Sequence, residues 1–121
     1  MVPPKRLVFD RIRKLGLKLP GVEEGTAYGS PALMVGGKMF ACIPTNKQAE
    51  PDSLVVRMSF LERDLRINAE PDVYYVKPHY EGYPCALARV KQLDDEALME
   101  LLEVGAQFVR STGKARTKRS R

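Results

Sequence analysis

The sequence predicts an α+β fold: a two-layer sandwich in which a twisted antiparallel sheet of about five strands is covered by helices, in the order α-β(3)-α-β(2)-α. Three observations carry this. Apolar residues recur at helical spacing near both ends of the chain, the stretch between them follows a two-residue period, and glycine or proline marks the breaks. Strands that follow one another directly are usually antiparallel neighbours, which leaves the helices one face of the sheet to cover. A chain of 121 residues supports a single core, so one domain is expected over residues 1–110, followed by a basic, disordered tail at 111–121.

Residues 4–19 read as an amphipathic helix, because Val8, Ile12, Leu15 and Leu19 form a stripe while Arg6, Arg13, Lys14 and Lys18 point elsewhere. Leu19-Pro20-Gly21 ends it, since proline disfavours helical geometry in the residue before it and glycine permits the exit turn. Residues 22–28 and 31–36 are short extended segments separated by Gly29-Ser30-Pro31. Val35-Gly36-Gly37-Lys38 is a hairpin signal leading to a return strand at 38–44. After a polar loop at 45–52, residues 53–59 alternate, with Leu54, Val56 and Met58 on one face and Val55, Arg57 and Ser59 on the other.

A short helix carrying Leu61 and Leu65 follows at 60–69 and stops at Glu70-Pro71. Residues 72–76 and 85–90 are the last two strands, and the tyrosine-rich segment between them is expected to be a loop. The final helix is capped by Asp94 or Asp95 and lines up Leu98, Leu101, Leu102, Gly105, Phe108 and Val109 on one face. Ser111-Thr112-Gly113 is its expected end, and residues 114–121 contain nothing apolar larger than alanine.

The net charge of +5 is unevenly distributed. Residues 110–121 hold six basic groups and no acid, and residues 1–19 hold six basic groups against Asp10 alone. Residues 20–109 carry eight basic and fourteen acidic groups, a net of −6, so the chain is basic at its ends and acidic through its middle. The basic groups Arg6, Arg13, Lys14, Lys18, Lys114, Arg116, Lys118, Arg119 and Arg121 are the candidates for contacting a phosphate backbone by releasing counterions. An amphipathic helix must in any case turn polar residues outward, and no helix-turn-helix or zinc pattern offers sequence-specific readout.

Cys42 and Cys85 lie inside apolar runs and not in a paired motif, and a single histidine cannot complete a zinc site with them. Free buried thiols, no metal and no cofactor are expected. No apolar run approaches the roughly 20 residues of a membrane span, and the N-terminus lacks the apolar stretch of a secretory signal, so a cytoplasmic protein without a membrane partner is expected, monomeric or weakly dimeric. No catalytic set stands out: His79 has no activated thiol in its sequence context, and Glu23-Glu24, being adjacent on a strand, would point to opposite faces.

Two stretches resemble the signatures of the MmcQ/YjbR-like family. Leu19-Pro20-Gly21-Val22-Glu23-Glu24-Gly25-Thr26-Ala27-Tyr28-Gly29-Ser30-Pro31-Ala32-Leu33, with Val35-Gly36-Gly37-Lys38-Met39-Phe40-Ala41, is similar to the first. Pro78-His79-Tyr80-Glu81-Gly82-Tyr83-Pro84 resembles the second, in the branch with Gly-Tyr-Pro where many members have Gly-Trp. The resemblance implies a CyaY-like or secretion-chaperone-like sheet and a DNA-binding protein, the latter by analogy of fold. It implies no catalytic residues, and any role of the tryptophan does not transfer to Tyr83-Pro84.

Two groups of candidate ligand-binding residues remain. In the tyrosine segment, Tyr80 and Tyr83 offer stacking surfaces and His79 a donor or acceptor, against the alternative that the prolines stiffen a crossover and the tyrosines cover the core edge. Lys38, Arg57 and Tyr28 could form a small anion site, or be solvated strand residues. The leading expectation is a small binding protein that contacts DNA non-specifically through its basic ends. The competing one is a protein–protein or small-ligand adaptor, without enzymatic activity, that uses the sheet face and the His79 segment.

Overall fold

The computed structural model describes residues 4–119, with the side chains of residues 8–112. Helix α1 (Pro4–Gly16) leads into four strands, β1 (Val22–Ala27), β2 (Ser30–Val35), β3 (Lys38–Cys42) and β4 (Ser53–Arg57). Helix α2 (Phe60–Ala69), β5 (Tyr74–Tyr75), the single turn α3 (Pro78–Glu81) and β6 (Cys85–Arg89) follow. A 3-10 turn (Val90–Gln92) precedes the long helix α4 (Asp95–Arg119). The strands form one antiparallel sheet in the order β1-β2-β3-β4-β6-β5. The α+β class holds, with six strands instead of about five because both short segments before Gly36 become strands.

Helices α1 and α4 cover one face. Ile12, Leu98, Leu101 and Leu102 are fully buried against Leu33, Phe40, Leu54 and Val56 from the sheet, each such burial contributing roughly 1.5–3 kcal/mol. Gly105 permits close approach: a Cβ there would lie 2.9 Å from Val56 Cγ1 and 3.2 Å from the Phe40 carbonyl oxygen. At the start of α4 it is Asp94 that caps, its carboxylate accepting the Ala97 N–H at 2.8 Å, while Asp95 pairs with Arg11 at 2.8 Å.

At its other end α4 continues past Ser111-Thr112-Gly113, the end that the sequence predicts, to Arg119. The Thr112 hydroxyl donates back to the Phe108 and Val109 carbonyls, and a helical glycine costs only about 1 kcal/mol, far less than proline would.

Three other expectations change. The strand expected at 72–76 shrinks to Tyr74–Tyr75, because the N–H groups of Val73 and Tyr74 both turn back to the Glu70 carbonyl at 3.0 Å. The tyrosine loop contains a helical turn, with Pro78 at its first position, where a missing N–H costs nothing. Helix α2, capped by the Ser59 hydroxyl, buries no residue, and Leu61 and Leu65 face solvent. It is held by Ile67, partly buried against the core, and by Arg66, which donates to Glu100 at 2.9 Å and the Tyr74 hydroxyl at 2.9 Å, and to Glu62 within the helix at 2.6 Å.

Strand β3 carries an irregularity that decides what the other face of the sheet presents. Leu33 pairs with Ala41 but Met34 pairs with Met39, so Phe40 is an extra residue in a β-bulge. Phe40 and Ala41 both enter the helix-side core, and Met39 and Cys42 both turn to the opposite face. Strand β1 forms an edge of the sheet, with Glu23 and Glu24 exposed along it.

Candidate functional site

On the face away from α1 and α4 a second, smaller apolar cluster joins Ala32, Cys42, Val55, Tyr75, Cys85 and Leu87, with Met34 and Met39 packed against it. Tyr80 plugs this cluster from α3, and a groove of about 520 Å³ opens beside it. Met39, Cys42, Val55 and Cys85 line it from the sheet, Ile43 to Asn46 form one wall, and His79, Tyr83 and Pro84 form the other. Tyr28 and Arg57 complete the lining, which contains no aspartate or glutamate.

The His79 wall is held by its backbone. The Tyr80 N–H reaches the Lys77 carbonyl at 2.8 Å, the His79 N–H reaches the Gln48 side chain at 3.0 Å, and Arg63 donates to the Glu81 carbonyl at 3.1 Å and the Tyr83 carbonyl at 3.4 Å. Met58 N–H to the Pro84 carbonyl at 2.9 Å ties the end of the segment to β4. The rings divide between two roles. Tyr80 is buried, its hydroxyl held above its ordinary pKa by burial, with a hydrogen bond from the Asn46 backbone partly offsetting this. His79 stands edge-on to it with ring centroids 4.8 Å apart, and Tyr83 remains 61% exposed at the rim. The segment is therefore architecture through Tyr80, while His79 and Tyr83 present their rings to the groove.

Tyr28 reaches the groove from the tip of the β1–β2 hairpin, where it has φ 55° beside Gly29 at φ 73°. Two positive φ values match a two-residue turn of the type that suits strand twist, but asparagine or glycine normally occupies the first position. A bulky residue there carries a backbone cost of about 1 kcal/mol, and its ring is 84% exposed. Such an outlier is a reason to look for function at the hairpin tip.

Arg57 ends β4 half-buried, its guanidinium 5.4 Å from the centre of the Phe108 ring. Among the described residues it has no hydrogen bond or ion pair, whereas Arg11, Arg63, Arg66, Arg89 and Arg110 all donate to carboxylates or carbonyls. The thiols are of a different character. Burial, and secondarily the neighbouring Cys85, pushes Cys42 up to about 11, and burial also raises Cys85. Both are free. They lie on either side of β4 and two residues out of line, because Cys42 pairs with Val55 and Cys85 with Arg57, and a separation of at least two strand spacings, about 10 Å, is too far for a disulfide.

Of the six candidate ligand residues, Tyr28, Arg57, His79, Tyr80 and Tyr83 therefore line one groove. Lys38 does not: with the bulge at Phe40, it lies on the far side of the strand from Met39. The sequence reading missed the sulfur-bearing floor, since strict alternation along β3 would have put Met39 and Cys42 on opposite faces.

The candidate phosphate contacts are only partly described. Arg13 lies 4.0 Å from Asp10, and Lys14 and Lys18 are exposed. The side chains of Arg6, Lys114, Arg116, Lys118 and Arg119, and all of Arg121, fall outside the described residues. Arg110 donates to the Pro20 carbonyl, which brings the C-terminal end of α1 beside α4. Among the described residues no cluster of three histidine, cysteine or acidic side chains could hold a metal, and no helix is long and apolar enough to cross a membrane.

Comparison with curated proteins gives no match, nor does comparison with solved structures. A family model does match: the YjbR model covers residues 17–104, from the last turn after α1 to the middle of α4, and takes in every residue that lines the groove. With more than half of the chain matched, this protein belongs to the YjbR family.

Proposed function

We propose that this YjbR-family protein is a binding protein, without catalytic activity, whose ligand occupies the groove on the open face of the sheet. The carrying observation is that five residues from three separate segments, Tyr28, Arg57, His79, Tyr80 and Tyr83, line one concave site. Its volume of about 520 Å³ falls in the range that small-molecule sites occupy, and apolar walls with a few polar groups are the usual composition of such sites. The chemistry of the lining favours binding over turnover. The thiols stay protonated at neutral pH, which makes them poor nucleophiles, and His79 has no carboxylate in the lining to orient it. Protonated free thiols also fit a reducing compartment, which supports a cytoplasmic location.

Titration of the full chain with indole, followed by amide NMR, tests this reading. The His79, Tyr83 and Cys85 amides should shift together while those of α1 stay in place. Unmoved groove amides at millimolar indole would remove the proposal.

Non-specific nucleic-acid binding is a second reading, favoured by the Arg110 contact to Pro20. This contact puts Lys14 and Lys18 at the same pole as the chain that follows Arg110, so the two basic segments can act on one phosphate backbone. Affinity for a DNA duplex should fall by orders of magnitude from low to physiological salt, and K14E with K18E should reduce both the affinity and the salt slope. A salt slope unchanged by the double variant would remove α1 from the interface.

A further inference from the structure

We propose that the groove selects a small planar aromatic carboxylate, with Arg57 as the anion anchor and the exposed rings of Tyr28, His79 and Tyr83 as the stacking surface. This rests on the groove being the ligand site and goes on to say what chemistry it takes.

Charge is the first argument. Residues 20–109 have a net charge of −6, yet the groove built from them is lined by one arginine and no acid. That makes it a cationic patch in an acidic body, and a low-dielectric concave wall strengthens its field. Arg57 is also unsatisfied in a specific way. A guanidinium has five N–H donors in a fixed fork, and among the described residues none of them is used within the protein. Its guanidinium lies over the ring of Phe108 on α4, 5.4 Å from the centroid, a ring that is not part of the groove lining. Meeting a bound anion requires the side chain to turn from that ring into the groove, and because a cation–π contact uses no N–H the fork remains available for a bidentate acceptor.

The choice of carboxylate over phosphate follows from the count of charges. One guanidinium neutralises one carboxylate, whereas a phosphomonoester carries about −1.5 to −2 at neutral pH. Among the described residues no second Lys or Arg lines the groove to take up the difference, Lys38 having been turned away by the bulge. The aromatic half follows from the rest of the lining. Met39, Cys42 and Cys85 form a polarizable sulfur floor, which favours contact with ring edges. Above it, Tyr28 and Tyr83 stand exposed at the rim, where an ordered ligand ring would bury apolar surface on both. The left-handed backbone at Tyr28 is consistent with a ring retained at that position despite its conformational cost.

Calorimetric titration of the full chain with three probes decides the matter: indole-3-acetate, indole and adenosine monophosphate, at neutral pH and low salt. Indole-3-acetate should bind at least tenfold more tightly than indole, and adenosine monophosphate more weakly than indole-3-acetate. Substituting Arg57→Gln should remove most of the preference for indole-3-acetate over indole, and Arg57→Lys should recover only part of it. Equal binding of indole and indole-3-acetate would overturn the anion assignment while the groove reading stood. Tighter binding of adenosine monophosphate would overturn the carboxylate in favour of phosphate. Failure of all three probes would overturn the groove reading itself. The comparison among probes uses the unaltered chain, so it holds even if a substitution at Arg57 disturbs folding.

Discussion

The two faces of one sheet are built from the same strands and do different work. On the face covered by α1 and α4, Leu54, Val56, Phe40 and Leu33 are fully buried beneath two helices. On the other face, Val55, Cys42, Cys85 and Leu87 meet only α3 and a loop, and a groove remains. A helix layer closes a face to solvent completely, whereas a single turn plugged by one tyrosine leaves room beside it. The difference teaches that stability and recognition are separated by the thickness of the sheet: one set of alternating residues supplies each.

Substitutions on the two faces should break the comparison in opposite ways. The largest loss is expected for Phe40→Ala, which empties a fully buried position under α4 and should cost about 4 kcal/mol. Denaturant unfolding would measure it. Tyr80→Ala should cost roughly 2 kcal/mol, less than Phe40→Ala because the space left behind joins a groove already open to solvent. If the two losses proved equal, the second face would count as core.

Alkali sharpens the contrast further. A Cys42 thiol raised from 9.0 to about 11 stays protonated in the folded protein while the unfolded chain ionises. Its contribution is thus fully present below pH 9 and is lost as pH rises towards 11, about 3 kcal/mol in all. Cys42→Ala should flatten that decline in chemical unfolding curves between these pH values. The smallest stability effect is expected for Tyr83→Ala, within about 0.5 kcal/mol, because the ring is at the rim and only its backbone carbonyl meets Arg63. The same variant should weaken indole binding measurably, which separates recognition from folding at one residue.

Much of this arrangement was legible in the chain. The alternation of Leu54, Val56 and Met58 against Val55 and Arg57 assigned both faces of β4 correctly, and the apolar stripe from Leu98 to Val109 identified the helix that covers the sheet. Tyr28, Arg57 and the His79 segment were visible as candidates because each is a polar or aromatic residue at a turn or strand end. Their convergence was not, since Tyr28 and Tyr83 are brought together only by the successive pairings of β2 with β3, β3 with β4 and β4 with β6. The floor escaped for a local reason: a bulge has no reliable sequence mark, and one extra residue at Phe40 reverses the facing of what precedes it. The length of α4 was misjudged because serine, threonine and glycine weaken a helix without the steric block that stops one.

The edge formed by β1 bears on how copies of this protein meet. The outer edge of this six-residue strand, free of a partner strand, offers N–H and C=O groups to any neighbour able to extend the sheet. Two such edges meeting antiparallel in a register centred on Glu23 and Glu24 would bring these residues of one copy alongside those of the other, and like charges across a strand pair repel. The acidic pair thus works against that self-addition, while a strand rich in lysine or arginine would meet no such barrier.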